Sequence, residues 1–105
     1  MQLNLAHLTC EEVAHHAADA VAVVPVGSTE QHGPHLPMLT DTLLAERLLA
    51  EALDLVGDSS STYVVTPSIP IGCSDHHLFA AALSLRTDTL RAVLTDVCDS
   101  LVASG

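Results

Sequence analysis

Glu30, His32, His35 and Asp41 fall within twelve residues of one another, in a stretch that reads GSTEQHGPHLPMLTD. In extended backbone, residues two apart project to the same side, so Glu30 and His32 can flank one site. Asp41 falls at the start of the following helix, where the helix dipole favours a carboxylate. One imidazole with two carboxylates is a hard-to-borderline donor set, suited to Zn, Mn or Fe. An aspartate can also bridge two ions about 3.5–4 Å apart, the arrangement by which paired-metal hydrolases hold a water nucleophile. E-x-H is a short pattern, and the competing reading is a polar loop whose acids and histidines are solvated.

A second loop, TPSIPIGCSDHHLF, carries Ser74, Asp75, His76 and His77. Serine beside histidine invites a nucleophilic reading, but a triad requires a geometry that sequence neighbours seldom achieve. Contact with substrate, or support of the ligands from behind, fits these residues better. His15 and His16 fall on the first helix and are expected at the surface.

The elements that must position these loops alternate. Thr9 and Glu12 form a T-x-x-E capping box, opening a helix that runs to about Ala18. The Val-rich run Ala20–Val26 reads as a buried parallel-type strand, with Pro25 placing its end near Gly27. Thr40 or Asp41 is expected to cap the next helix, with Leu44, Leu48, Ala52 and Leu55 at core spacing and Gly57 as terminator. The polar linker DSSST leads into a second strand, Thr62–Val65. A short strand is expected around Leu83–Leu85. Thr87 or Asp88 then caps a last helix to about Val102, with Leu90, Val93, Leu94, Val97 and Leu101 on one face. This order predicts an α/β fold, a layered αβα arrangement on a mainly parallel sheet. Both loops leave the carboxyl ends of strands, where such sheets bind ligands. Two or three strands make a thin sheet, so residues 1–105 are expected to be part of a larger domain, or of an oligomer that completes one.

Composition excludes several function classes. The chain has 105 residues, 3 basic and 13 acidic side chains, a formal net charge of −10, no Lys and no Trp. Nucleic acid is a poor partner, because phosphate binding is driven by Lys and Arg; an anionic membrane surface repels the chain for the same reason. A hydrophobic fraction of 49% with 15% charged residues excludes intrinsic disorder. No apolar run reaches the roughly 18–20 residues of a membrane span, and the start MQLNLAHLTCEE lacks the basic region of a secretory signal. Cys10, Cys73 and Cys98 form no CxxC pair, so reduced thiols and a cytoplasmic location are expected.

The stretch VVPVGSTEQHGPHLPMLTDTLLAERL resembles the first signature of the creatininase (creatinine amidohydrolase) family, Pro-x-Gly-Ser-x-Glu-x-His-Gly-x-His-Leu-Pro followed by Thr-Asp at a helix start. PIGCSDHHLFAAALSL resembles the second, a Gly-x-Ser loop with a His, followed by a Leu-Ser-Leu strand. The family commonly continues Phe-Pro-Gly-Thr there; this chain reads Phe79-Ala80-Ala81-Ala82 and is one residue shorter. The resemblance runs from about Val23 to Leu85 and implies a metal-dependent hydrolase of non-peptide C–N bonds in cyclic or linear amides, with metal-activated water as nucleophile.

Carried over residue by residue, the resemblance implies that Glu30 and His32 each bind one of two divalent ions (Zn, Mn or Fe), that Asp41 bridges them, and that Ser74 meets the substrate. The family's later Asn-Gly-His loop and His/Glu residues, which complete the metal shell and supply acid/base groups, have no counterpart here. No catalytic residue is therefore assigned; the resemblance implies that residues 1–105 are the N-terminal portion of a single creatininase-like α/β domain, and the chain alone is expected to be inactive. Within the family a creatininase-like ring opener, a formamide hydrolase and a maturation peptidase for a peptide-derived cofactor all remain open. The partner expected is a small-molecule amide, with a homo-oligomer as the complete assembly. The alternative is a non-catalytic small metal-binding or assembly protein built on the same fold.

Overall fold

Thr62–Val65 is β-branched and aromatic throughout, the composition that favours a pleated, two-sided strand, and it occupies the centre of the sheet. The computed structural model describes residues 1–57 and 59–105, so Asp58 of the DSSST linker lies outside the described residues. Strands β1 (Gln2–Asn4), β2 (Ala20–Val23) and β4 (Thr62–Val65) form a parallel sheet in the order β1-β4-β2. Register aligns Leu3, Val64 and Ala22 on one face, and Asn4, Val65 and Val23 on the other.

Helices cover both faces. On one, Val13 of α1 (Cys10–His16) and Leu101 of α3 (Thr87–Ala103) line an open cavity of about 370 Å³ with Ala20, Ala22 and Val64. A Cβ built on Gly105 would lie 2.7 Å from the Cβ of Ala17, so the end of α3 abuts the turn after α1. On the other face Leu49 and Ala50 of α2 (Thr40–Val56) border the space over Gln2, Asn4 and Val65. This is the expected layered αβα arrangement on a parallel sheet.

Several local expectations change. Strand β1 was not expected from the sequence; three residues are too few to show a period. Strand β2 ends at Val23 rather than Val26, because Pro25 has no N–H to give the ladder, although Val26 still bridges Ile69. Helix α1 ends at His16 and passes into a 3-10 turn over Ala17–Asp19. Its capping box is present: the Thr9 N–H donates to Glu12 Oε2 at 2.8 Å and the Glu12 N–H to Thr9 Oγ1 at 3.3 Å. Those contacts hold the Glu12 carboxyl below its ordinary range. Helices α2 and α3 begin one position earlier than expected, with Leu39 and Arg86 as N-caps and no side-chain cap bond. Gly57 does end α2, at a φ of 60° that suits glycine.

The leucine stripe of α2 is a larger correction. Leu44, Leu48 and Leu55 were expected in the core, but Leu48 is 64% and Leu55 88% exposed. Leu53 and Thr42 are the buried residues of this helix. Both apolar stripes recur with a helical period, so the sequence does not distinguish the inward one. The molecule exposes 6960 Å², against roughly 5,600 Å² for a closed monomer of this mass. No helix among the described residues is long and apolar enough to cross a membrane. Cys10, Cys73 and Cys98 are free and exposed.

Two further strands stand apart from the sheet. Strand β3 (Thr29–Glu30) pairs antiparallel with β5 (Ala82–Leu83), matching Glu30 to Ala82. Just before β5, Ala81 has a φ of 140°, a region that side chains with a Cβ resist. This residue stands where the family turn carries Pro-Gly, and such strain costs on the order of 1–3 kcal/mol. Ala81→Gly should therefore stabilise the chain by about 1 kcal/mol after allowing for the freer unfolded state. Thermal unfolding should show a midpoint raised by roughly 5 °C; a lowered midpoint would mean the backbone at this position is relaxed.

Candidate metal centre

The donor loop leaves the carboxyl end of β2, and two contacts fix its course. The first is a close approach. A Cβ on Gly27 would fall 2.5 Å from the Thr42 Cα and 2.7 Å from its backbone N, so only a residue without a side chain lets this loop lie against the first turn of α2. The second is a hydrogen bond from Thr42 Oγ1 to the carbonyl of Ser28 at 3.1 Å, with Thr42 only 2% exposed. Asp41, next to Thr42, is thereby carried to the same place as Ser28, whose hydroxyl donates to Asp41 Oδ2.

Glu30, His32 and Asp41 converge as expected. One donor atom from each lies within 4.8 Å of the other two. His32 Nε2 is 3.0 Å from Asp41 Oδ2 and 3.9 Å from Glu30 Oε1. An ionised carboxylate can only accept, so His32 donates its Nε2 proton to Asp41 in the metal-free chain. A cation would take that proton's place, with the imidazole proton moving to Nδ1. All three side chains are partly buried, enough to be held and open enough to be reached. The set fits a divalent ion: hard-to-borderline donors, converging, with a neighbouring hydroxyl to orient one of them. His35 is exposed and joins neither candidate donor group found among the described residues.

The second loop arrives through the β3–β5 pairing. The Gln31 N–H donates to the carbonyl of Ala81 at 3.0 Å, tying the donor loop to the segment that follows His77. Asp75–His77 form a 3-10 turn, and donor atoms of Glu30, His76 and His77 also gather within 4.8 Å. Gln31 Nε2 lies 2.9 Å from His77 Nδ1. Ser74 is 1% exposed, and its Oγ is the one buried side-chain polar atom among the described residues that lacks a partner. Its backbone is fully used, with its N–H donating to Ser84 Oγ at 2.8 Å and its carbonyl accepting from the His77 N–H at 3.0 Å.

Sequence reasoning placed the three donors but missed Ser28, Thr42 and the approach of His76 and His77 to Glu30. Ser28 belongs to the quoted signature and carried the signal. The histidine pair carried none, because two-residue strands 53 positions apart leave no periodicity.

Two predictions follow from this geometry. Gly27→Ala should cost about 1–3 kcal/mol of stability, read as an earlier chemical unfolding midpoint at unchanged slope; an unmoved midpoint would mean the loop yields freely. The second concerns protons. The Ser28 hydroxyl is the chief cause that holds the Asp41 carboxyl below its ordinary range, opposed by burial and helped by His32. Asp41 therefore contributes stability that is complete above the unfolded carboxyl value of about 3.9 and is lost as pH falls through the lower folded value. Ser28→Ala should move the Asp41 titration upward in carboxyl NMR, and should weaken divalent-ion binding by about 10- to 100-fold. An Asp41 titration indifferent to Ser28 would refute the contact.

Known proteins share both the sequence and the geometry. The family model "Creatininase: Creatinine amidohydrolase" matches residues 6–105. A mycofactocin precursor peptide peptidase of Mycobacterium tuberculosis is 40% identical over 83 residues, which cover 70% of this chain and 32% of that protein. One from Mycolicibacterium smegmatis is 37% identical over 83 residues, covering 77% and 34%. The chain spans about a third of the length of these curated relatives. Among solved structures, "Creatininase Mn" superposes with a TM-score of 0.84 at 27% identity, over 100% of this chain and 42% of that one. A glutamate-to-glutamine mutant creatininase of Zn-Zn type gives the same score, identity and coverage. Over residues 6–105, the chain belongs to the creatininase family.

Proposed function

We propose that this chain supplies Glu30, His32 and Asp41 to the divalent-metal centre of an amide hydrolase. The convergence of these donor atoms within 4.8 Å is the observation that carries the reading. Glu30 and His32 would each hold one ion, and Asp41, which the Ser28 hydroxyl orients, would be shared between the two. Bound there, the ions would supply Lewis acidity toward a carbonyl and lower the pKa of water. The chain's own residues hold the cations, orient Asp41 through Ser28, and fix the approach of the second loop. Three donors with one shared are too few for two ions that each take about four. The remaining ligands and the acid/base groups therefore come from outside these three residues, in a longer polypeptide or a second subunit.

The bond cleaved is an amide C–N bond, and a peptide-derived substrate is the better reading. Identity of 40% to a mycofactocin precursor peptide peptidase, against 27% to creatininase, supports it over a small cyclic amide. The Ser74 hydroxyl, buried and without a partner, is a polar group whose hydrogen bond a substrate atom would complete. A second reading, a non-catalytic metal-binding or assembly protein, draws on Ala81 in its strained conformation where the family turn carries glycine.

Metal titration by isothermal calorimetry tests the assignment of these three donors. The 105-residue chain should bind one Zn²⁺ or Mn²⁺ weakly and hydrolyse no peptide amide. Asp41→Ala should abolish that binding, while Ser74→Ala should leave it intact and raise stability by about 1 kcal/mol, since it removes an unpaired buried hydroxyl. Two tightly held ions, or full binding in Asp41→Ala, would overturn the assignment.

A further inference from the structure

The group formed by Glu30, His76 and His77 looks like a second cation site by distance, yet its hydrogen bonds argue otherwise. Gln31 decides the matter. The backbone N–H of Gly33 lies 2.9 Å from Gln31 Oε1, and a backbone N–H can only donate. The oxygen end of the Gln31 amide is thereby identified, so the other end, 2.9 Å from His77 Nδ1, is the NH₂ group. An amide NH₂ only donates, so Nδ1 of His77 accepts and carries no proton. A neutral imidazole bears one proton, which must then be on Nε2.

We infer that Gln31 holds His77 as the Nε2–H tautomer, making it a neutral hydrogen-bond donor beside the metal centre rather than a metal ligand. Neither nitrogen is free to coordinate: Nδ1 has the Gln31 amide against it and Nε2 carries the proton. Ligating histidines show the reverse arrangement, with the non-ligating nitrogen donating to a carboxylate or carbonyl. A ring nitrogen of His77 is within 4.8 Å of a Glu30 carboxylate oxygen, so the ring lies at the edge of the ion site. There the Nε2–H meets an acceptor oxygen of an amide substrate, and Gln31 is the residue that positions it. This assignment rests on the amide-hydrolase reading for its substrate, but not for the tautomer itself.

The test is long-range ¹⁵N–¹H NMR of the histidine rings in the 105-residue chain at pH 8, with and without Zn²⁺. The His77 ring should show a protonated Nε2 and a bare Nδ1 in the metal-free chain, and should keep that pattern when Zn²⁺ shifts the His32 resonances. Gln31→Glu is nearly isosteric and keeps the acceptor for the Gly33 N–H, but its second oxygen accepts from His77. That variant should invert the ring to Nδ1–H and give His77 a Zn²⁺-dependent shift that the parent lacks. A bare Nε2 in the parent, a direct Zn²⁺ response at His77 in the parent, or a Gln31→Glu ring that stays Nε2–H would each overturn the inference. Failure of Zn²⁺ to move His32 would instead defeat the metal reading and leave the tautomer standing.

Discussion

The structure depends on one close approach, that of Gly27 to the first turn of α2. Without a Cβ at Gly27, the loop leaving β2 lies directly on Thr42, and the buried Thr42 hydroxyl fastens it to the carbonyl of Ser28. The convergence of Glu30, His32 and Asp41 follows from that contact. Asp41 belongs to the helix and Ser28 to the loop, so the hydroxyl reaches the carboxylate only while these two elements stay packed together. The donor set is thus split across two elements whose spacing is fixed by backbone against backbone. This is stiffer than any spacing set by flexible side chains.

A second pairing brings the other loop in, and it is achieved under strain. Strands β3 and β5 contribute two residues each, yet they place the Gln31 amide N–H on the Ala81 carbonyl. The residue that accepts that bond, Ala81, takes a backbone conformation suited to glycine. Strain of this kind persists where the surroundings over-determine it, and it gathers at functional sites. Here it adjoins the segment that delivers His77 to Gln31, so the unusual backbone and the unusual histidine belong to one arrangement.

Much of this was legible in the sequence, and the exceptions have physical causes. The parallel sheet, the three helices and the capping box at Thr9 could be read from valine runs, helical spacing and cap chemistry. The donors Glu30, His32 and Asp41 could be read because they lie close along the chain. What could not be read was long-range. Strand β1 declares itself only by pairing with β4, the inward face of α2 depends on which leucines the sheet receives, and the approach of His77 to Gln31 depends on a two-residue ladder. Local patterns report periodicity; they do not report which of two periodic faces finds a partner.

The strand order has a consequence for how the molecule is made. Strands β1 and β2 both come early, but neither pairs with the other; each pairs only with β4, the last strand of that sheet. The first residue illustrates this: the Met1 ammonium donates to the Ser61 carbonyl at 3.0 Å, and the Met1 carbonyl accepts from Tyr63 at 2.8 Å. During synthesis the first sixty residues can form helix and turn but no sheet. Residues 62–65 must then close two long loops at once, a step whose entropy is lost before its contacts form. Until that step, the backbone N–H and C=O edges of both early strands wait unpaired, and they are the part of the nascent chain that most needs protection from its neighbours.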